Sequence, residues 1–203
     1  MDLGSRPPTG AVNRTIEAVV NDWRLSGIFT GGSGAPYTIG YSYQGGINST
    51  NLTGTPNYGA RIIIAGNPGK GCGRDATRQF NTAAFSGPQP GSLGLESGQN
   101  YMRGCPDHTL DTAIARSIKV GSGRREVQLR AELYNALNTP IFTDRNATMN
   151  IQSLPKASTS VNLPYDASGN LIPLNATPRT AGFGVVKNSN AGRAVQLTAR
   201  FSF

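Results

Sequence analysis

Residues 125–137, which read REVQLRAELYNAL, decide the fold class of this chain. Apolar side chains occupy the odd positions from Val127 to Leu133 and recur at Leu137, while charged or polar ones occupy the even positions from Glu126 to Tyr134. This period of two is that of a β-strand with one apolar and one polar face. An ionic face does not suit a packed sandwich interior, and the sequence offers no convincing amphipathic helix to cover the apolar face. The pattern therefore favours a membrane-spanning strand, which needs about 9–11 residues.

Four further segments alternate in the same way, most clearly at the C-terminus. We expect long strands over 18–30, 36–43, 108–120, 124–137 and 193–203. Arg116 interrupts the apolar side of the third segment. The pattern predicts an all-β fold, an antiparallel meander of about five long strands.

The connections between these segments differ strongly in length. Thr30–Ala35 and Val120–Gly123 have the composition of tight turns, whereas 44–107 and 138–192 are long loops rich in Gly, Asn and Pro. Short connections alternating with long ones are typical of outer-membrane barrels, whose turns are periplasmic and whose loops are extracellular. We therefore expect a partial outer-membrane β-barrel over 18–203, with both tight turns on the periplasmic side, preceded by a flexible segment, 1–17. Three tyrosines of the second strand are expected in an aromatic girdle: Tyr37, Tyr41 and Tyr43.

Composition excludes several other classes of protein. Only 37% of the 203 residues are hydrophobic, and no apolar run approaches the roughly 20 residues of a membrane helix. The net charge is +8, but the basic residues are scattered singly along the chain, so we expect no nucleic-acid partner. The first residues carry no signal-peptide pattern.

The candidates for site chemistry are few. Cys72 and Cys105 lie in Gly- and Pro-containing sequence and match neither a CxxC nor a zinc spacing. A loop-tying disulfide formed in an oxidising compartment is the preferred interpretation, with two unpaired thiols as the alternative. His108 beside Asp107 is a weak catalytic alternative, because consecutive strand residues point to opposite faces. We expect no enzyme activity, no cofactor and no metal site.

Several segments, taken together and in their order along the chain, also resemble those of a known protein family. The matching stretches are DWRLSGIFT at 22–30, SGAPYT at 33–38, QFNTAAF at 79–85, YMRG at 101–104, LRAELYNALN at 129–138 and VQLTARFSF at 195–203. In this order they resemble the C-terminal end of TonB-dependent outer-membrane receptors of the Oar-like, carboxypeptidase-regulatory-domain-containing branch. The resemblance covers roughly residues 18–203.

The resemblance implies energy-dependent transport of an unknown bulky ligand, in which this segment supplies barrel wall, extracellular loops and the C-terminal signal for barrel insertion. That signal is formed by alternating residues of the last strand: Val195, Leu197, Ala199, Phe201 and Phe203. The implied partners are outer-membrane lipid, the barrel-assembly machinery, and the remainder of the barrel with its plug.

Such receptors have 22-stranded, plugged barrels, so about five strands cannot close one. We therefore expect a fragment, a truncated reading frame or a piece of an assembly, located in the bacterial outer membrane if it is exported as part of a longer chain. The alternative is a free-standing small secreted β-protein that acts as a binding module or an orphan hydrolase.

Overall fold

The computed structural model describes residues 22–121, 125–152, 154, 160–176, 182–190 and 192–203. Strands are the main element throughout this part of the chain, and the helices are single turns. The strands are β1 (Trp23–Gly32), β2 (Pro36–Tyr37), β3 (Gly40–Tyr43), β4 (Ile63–Ile64), β5 (Phe85–Ser86), β6 (Met102–Arg103), β7 (Asp107–Lys119), β8 (Glu126–Tyr134), β9 (Phe142–Arg145), β10 (Thr148–Ile151), β11 (Val186–Ser189) and β12 (Ala194–Ser202). The helical turns are Ser49–Thr53, Thr82–Ala84 and Pro173–Ala176. The predicted all-β class is confirmed.

The four longest strands form one sheet in the order β1-β7-β8-β12. Strands β7 and β8 are antiparallel, with Thr112 opposite Leu133 and Lys119 opposite Glu126. Strand β12 continues the antiparallel pattern along β8, from Ala194 opposite Tyr134 to Ser202 opposite Glu126. This nine-residue register keeps the alternating faces of the neighbouring strands aligned.

Strands β1 and β7 also run in opposite directions. A Cβ on Gly27 would lie 3.5 Å from the carbonyl oxygen of Asp111, and one on Gly32 would meet the carboxylate of Asp107. The end of β1 is therefore level with the start of β7, the end of β8 and the start of β12. Both long connections begin and end at this end of the sheet. The turn that joins β7 to β8 lies at the opposite end, where the Val120 amide donates to the Arg125 carbonyl over 3.0 Å.

The prediction of a fifth sheet strand over 36–43 is wrong. This segment divides into β2, which is antiparallel to β6, and β3, which is parallel to β10. Ile39 and Tyr43 are buried in a separate core, so their burial, rather than a barrel wall, accounts for the alternation. Consequently Thr30–Ala35 is not a tight periplasmic turn, because it leads out of the sheet at the end shared by the long connections.

The chain forms two compact units. The sheet unit comprises, within the described part, residues 22–31, 108–139 and 192–203. The connection unit comprises Gly32–Asp107 and the described residues between Pro140 and Asn190. The predicted flexible segment 1–17 and the first residues of the predicted strand 18–30 lie outside the described residues.

The connection unit has its own hydrophobic core, which the prediction of two loops over 44–107 and 138–192 missed. Three rings meet at its centre: Phe183 lies 5.0 Å from Phe80 and 5.8 Å from Phe85, measured between centroids and in edge-to-face geometry. Buried aliphatic side chains surround them, including Ile39, Ile62, Met102 and Ile151. Both long connections contribute to this core, so they fold together instead of remaining loops.

Strand β8 ends three residues earlier than the predicted boundary at Leu137. Asn135 has a φ of +50°, which Asn tolerates better than most residues and which a strand cannot continue through. Its backbone amide donates to the Asp111 carboxylate over 2.8 Å. This local bond fixes where the sheet stops and the second connection begins.

Candidate functional site

The sheet unit has one face made of exposed apolar side chains, here called the apolar face. The register and the alternation place on it Trp23, Leu25, Phe29, Ile114, Arg116, Ile118, Val127, Leu129, Ala131, Leu133, Val195, Leu197, Ala199 and Phe201. Leu25 is 80% exposed and Leu197 is 77% exposed. Contiguous exposed apolar surface of this kind marks a region that another apolar phase covers.

The opposite, polar face carries hydrogen-bonding and charged groups. Arg130 and Glu132 form an ion pair of 2.7 Å between Nη2 and Oε1 on β8. Across the strand pair, Arg200 is opposite Gln128 and Gln196 is opposite Glu132. A lipid-facing side and an aqueous side on the same strands are the arrangement of a transmembrane barrel wall.

The five residues predicted as an insertion signal lie at the edge of this sheet. Strand β12 pairs with β8 on one side and is the outermost strand in the sheet order. Val195, Leu197 and Phe201 are exposed on the apolar face, Ala199 lies between them, and Phe203 follows the strand with 95% exposure. The geometry meets the alternation that the signal requires, and its role in insertion stays a prediction.

Arg116 is an exception on the apolar face. Its guanidinium carbon lies 5.3 Å from the centroid of the Trp23 indole, a cation–π distance. Its Nε is buried and has no hydrogen-bond partner among the described residues. Within that part of the chain, the carboxylate ion pairs are those of Glu132 and Asp144, and neither involves Arg116.

In the connection unit, a disulfide joins Cys72 to Cys105 with Cα atoms 4.8 Å apart, which confirms the predicted pairing. The carbonyl oxygen of Gly71, beside this bond, accepts from the Tyr37 hydroxyl over 2.8 Å and from Arg145 Nη1 over 3.0 Å. The disulfide and these two side chains therefore fix the same stretch of backbone.

Arg145 is a buried charge that the sequence does not reveal. Its side chain is 7% exposed in relative area, and Nη2 donates to the Phe142 carbonyl over 3.0 Å. The guanidinium carbon lies 5.0 Å from the Tyr37 ring centroid. Burial raises the pKa of Tyr37, and the hydrogen bond and positive charge of Arg145 offset part of that rise. An arginine in polar loop sequence carries no signal that would reveal this burial.

The predicted aromatic girdle is wrong for all three tyrosines. The Tyr41 hydroxyl donates to the Ala60 carbonyl over 3.0 Å, and the Tyr43 hydroxyl donates to the Pro88 carbonyl. Burial raises the pKa of Tyr41 to about 12, with smaller contributions from Tyr43 and Glu96. Tyr37, Tyr41 and Tyr43 therefore join segments of the connection unit instead of lining a membrane interface.

Open cavities indent the described part of the connection unit. One, of about 370 Å³, is lined among others by Tyr37, Asp144 and Arg145. Another, of about 440 Å³, includes Tyr41 and Arg61 in its lining. Both volumes lie within the range of about 300–1,000 Å³ that is typical of small-molecule pockets.

The weak catalytic alternative, His108 with Asp107, lies at the exposed start of β7. As consecutive strand residues, the two side chains point to opposite faces of the sheet. Over the described residues, the structure gathers no group of three or more His, Cys, Asp or Glu side chains that could hold a metal ion. The same part of the chain has no helix of the length and apolarity required to cross a membrane.

Comparison with known proteins identifies the family. The family model described as "Outer membrane beta barrel domain" matches residues 3–196. No curated protein and no solved structure matches the chain. The chain belongs to this outer-membrane β-barrel family, which places it in the bacterial outer membrane and gives its sheet the role of barrel wall.

Proposed function

We propose that this chain is the C-terminal part of a TonB-dependent outer-membrane receptor or transporter. It supplies four strands of the barrel wall, folded extracellular connections and the C-terminal insertion signal, and it contributes no chemistry of its own. Within the outer-membrane β-barrel family, the proposed identity as a TonB-dependent receptor rests on the series of motifs between residues 22 and 203. The rest of the barrel and its plug belong, in this proposal, to the same longer protein.

The two-faced sheet is the observation that carries the proposal. Its apolar side chains are exposed on one face, and the Arg130–Glu132 ion pair lies on the other. Outside a membrane, that apolar face would need a cover. In a barrel wall, lipid covers it and the ionic face lines the lumen.

The structure of the connection unit is consistent with ligand recognition at the extracellular side. Both of its chain segments leave and re-enter the sheet at the end opposite the β7–β8 turn, and short turns are periplasmic in barrels of this kind. A core with edge-to-face aromatic rings and a disulfide gives these connections a defined surface. A ligand too large for either cavity would contact that surface at several points.

Insertion of the sheet into lipid tests the wall function with two neighbouring residues of β12. Leu197 lies on the apolar face and Gln196 on the polar face of the same strand. We expect Leu197→Arg to disfavour insertion into phosphatidylcholine vesicles by about 2–4 kcal/mol, because it places a charge against lipid. Gln196→Arg adds the same charge on the lumen side, opposite Glu132, and should insert like the wild type. Equal behaviour of the two variants, or a wild-type chain that is monodisperse and unfolds cooperatively without detergent, would overturn the barrel-wall function and favour the free-standing module.

The receptor identity needs a separate test on the native protein. An antibody raised against residues 44–107 should detect a polypeptide in the outer-membrane fraction of the source bacterium. That polypeptide should be retained on the immobilised periplasmic domain of TonB. A band that is present in the outer membrane but is not retained would remove the TonB-dependent identity and leave the barrel wall in place.

A further inference from the structure

We infer that Arg116 and Trp23 form a binding site for the headgroup of an anionic phospholipid on the lipid-facing side of the barrel wall. The inference rests on the barrel-wall function and adds a ligand to it. Its starting point is a guanidinium on the apolar face, whose other assigned members on β1, β7, β8 and β12 are uncharged.

The position of the pair along the strands suits a headgroup. Arg116 is three residues before the end of β7 at Lys119, and Trp23 is the first residue of β1. At about 3.3 Å per residue and a tilt of about 40°, Arg116 lies roughly 8 Å below the strand end. An arginine side chain bridges such a depth by extending toward the interface while its stem stays in the apolar layer. Tryptophan is likewise enriched at the membrane–water boundary.

The charge of Arg116 needs an anion in this environment. The indole 5.3 Å away supplies a cation–π contact but no negative charge. Nε is buried, so an anion would meet the guanidinium at its two terminal nitrogens. Neither of the ion pairs in the described part of the chain includes Arg116. A lipid phosphate supplies the missing charge and acceptor oxygens for the two terminal nitrogens of the guanidinium.

The end of the sheet identifies the leaflet. The pair lies near the β7–β8 turn, opposite the end from which both long connections leave. With short turns on the periplasmic side, this is the periplasmic leaflet. The proposed ligand is therefore a glycerophospholipid with a net negative headgroup, for which phosphatidylglycerol is the probe.

Trp23 is the only tryptophan in the chain and reports on its own lipid neighbours. The full chain is refolded into phosphatidylcholine vesicles that contain one fixed fraction of dibrominated lipid, either phosphatidylglycerol or phosphatidylcholine. Bromine on the acyl chains quenches tryptophan fluorescence at short range. The ratio of the two quenching levels therefore gives the association constant of phosphatidylglycerol at Trp23 relative to that of phosphatidylcholine. We expect a preference of about fivefold for phosphatidylglycerol, the effect of one basic residue at an anionic surface.

Arg116→Gln should reduce this preference to near one. Arg200→Gln is the matched control, because Arg200 lies on the polar face and the loss of charge is the same. A sodium chloride titration of the wild-type chain gives a readout without any variant, since screening should lower the preference as ionic strength rises.

The outcomes of the quenching experiment distinguish the lipid-site proposal from the barrel-wall function. Strong but equal quenching by both lipids, or a preference that survives Arg116→Gln, overturns the lipid site while the barrel wall stands. Complete loss of the preference in 10 mM inorganic phosphate at constant ionic strength also overturns it, because the site would then take free phosphate. No quenching of Trp23 by either lipid removes the barrel wall itself.

Discussion

Removing the Cys72–Cys105 disulfide should destabilise the connection unit while leaving the sheet unchanged. The bond links residues 33 positions apart. The chain-entropy relation for a loop of this length gives about 3.7 kcal/mol at 25 °C. At 1.4 kcal/mol per factor of ten, the open state of the unit becomes about 400 times more populated. The double variant Cys72→Ser with Cys105→Ser makes this change without leaving an unpaired thiol.

Hydrogen exchange followed by mass spectrometry measures the change separately in each unit. In detergent micelles, amides in β3 and around Phe183 should exchange about 400-fold faster in the double variant, because exchange tracks the open population. Amides of the β7–β8 pair, in the sheet unit, are the internal control and should keep their rates. Reduction of the wild-type bond with dithiothreitol should reproduce the variant.

Two results would refute this reasoning about the disulfide. An acceleration below about tenfold in the connection unit would mean that the bond constrains an unfolded state that is already compact. Equal acceleration in the β7–β8 pair would mean that the two units open together. In that case the disulfide would stabilise the whole chain and not one unit of it.

The same exchange measurement tests two further features of the connection unit. Phe183→Ala should cost about 3–5 kcal/mol, because Phe183 is fully buried against Phe80, whereas Leu95→Ala, at a side chain 81% exposed, should change little. Burial acts to raise the pKa of Glu96, but hydrogen bonds from the Ser92 hydroxyl and several backbone amides outweigh it and lower that pKa. The stabilisation by Glu96 is therefore fully present above about pH 4.3, its pKa when unfolded, and is lost as the pH falls through the lower folded value. Glu96→Gln should flatten this acid dependence, and an unchanged slope between pH 5 and pH 3 would contradict the assignment.

The strands of the sheet could be predicted for two reasons. Their apolar and polar residues alternate regularly, and β7 and β8 pair across a short local connection. From Val127 to Leu133 the alternation is strict, and β8 pairs with β7 across one short turn. Strand β12 is distant in sequence, yet its nine alternating residues suit only a strand with two different faces. For these segments, periodicity and tertiary environment agree, so the sequence pattern is sufficient.

The segment 36–43 shows where periodicity is insufficient. Its alternation reports that one side is buried but does not report what covers that side. Ile39 and Tyr43 are covered by side chains from both long connections, and β3 pairs in parallel with β10 more than 100 residues later. Pairing over that separation leaves no local trace in the sequence.

Arg145 was unpredictable for a related reason. Its acceptors are backbone carbonyls, and any residue type supplies a carbonyl. One of them, at Gly71, is 74 positions away in the sequence. A salt bridge leaves a pair of opposite charges to search for, whereas this arrangement leaves a single arginine in a polar stretch.

The low apolar content of the chain follows from two different ways of covering apolar groups. In the connection unit, Phe183 and Ile151 are covered by other side chains, and each buried residue needs several apolar neighbours. In the sheet, Leu25 and Leu197 stay exposed to the protein's surroundings, so the cover comes from lipid and uses no residues of the chain. A sheet covered by lipid therefore needs about one apolar residue in two and no second layer. Because the sheet requires so few apolar residues, a chain of 203 residues with 37% hydrophobic content can form both a barrel wall and a separate core.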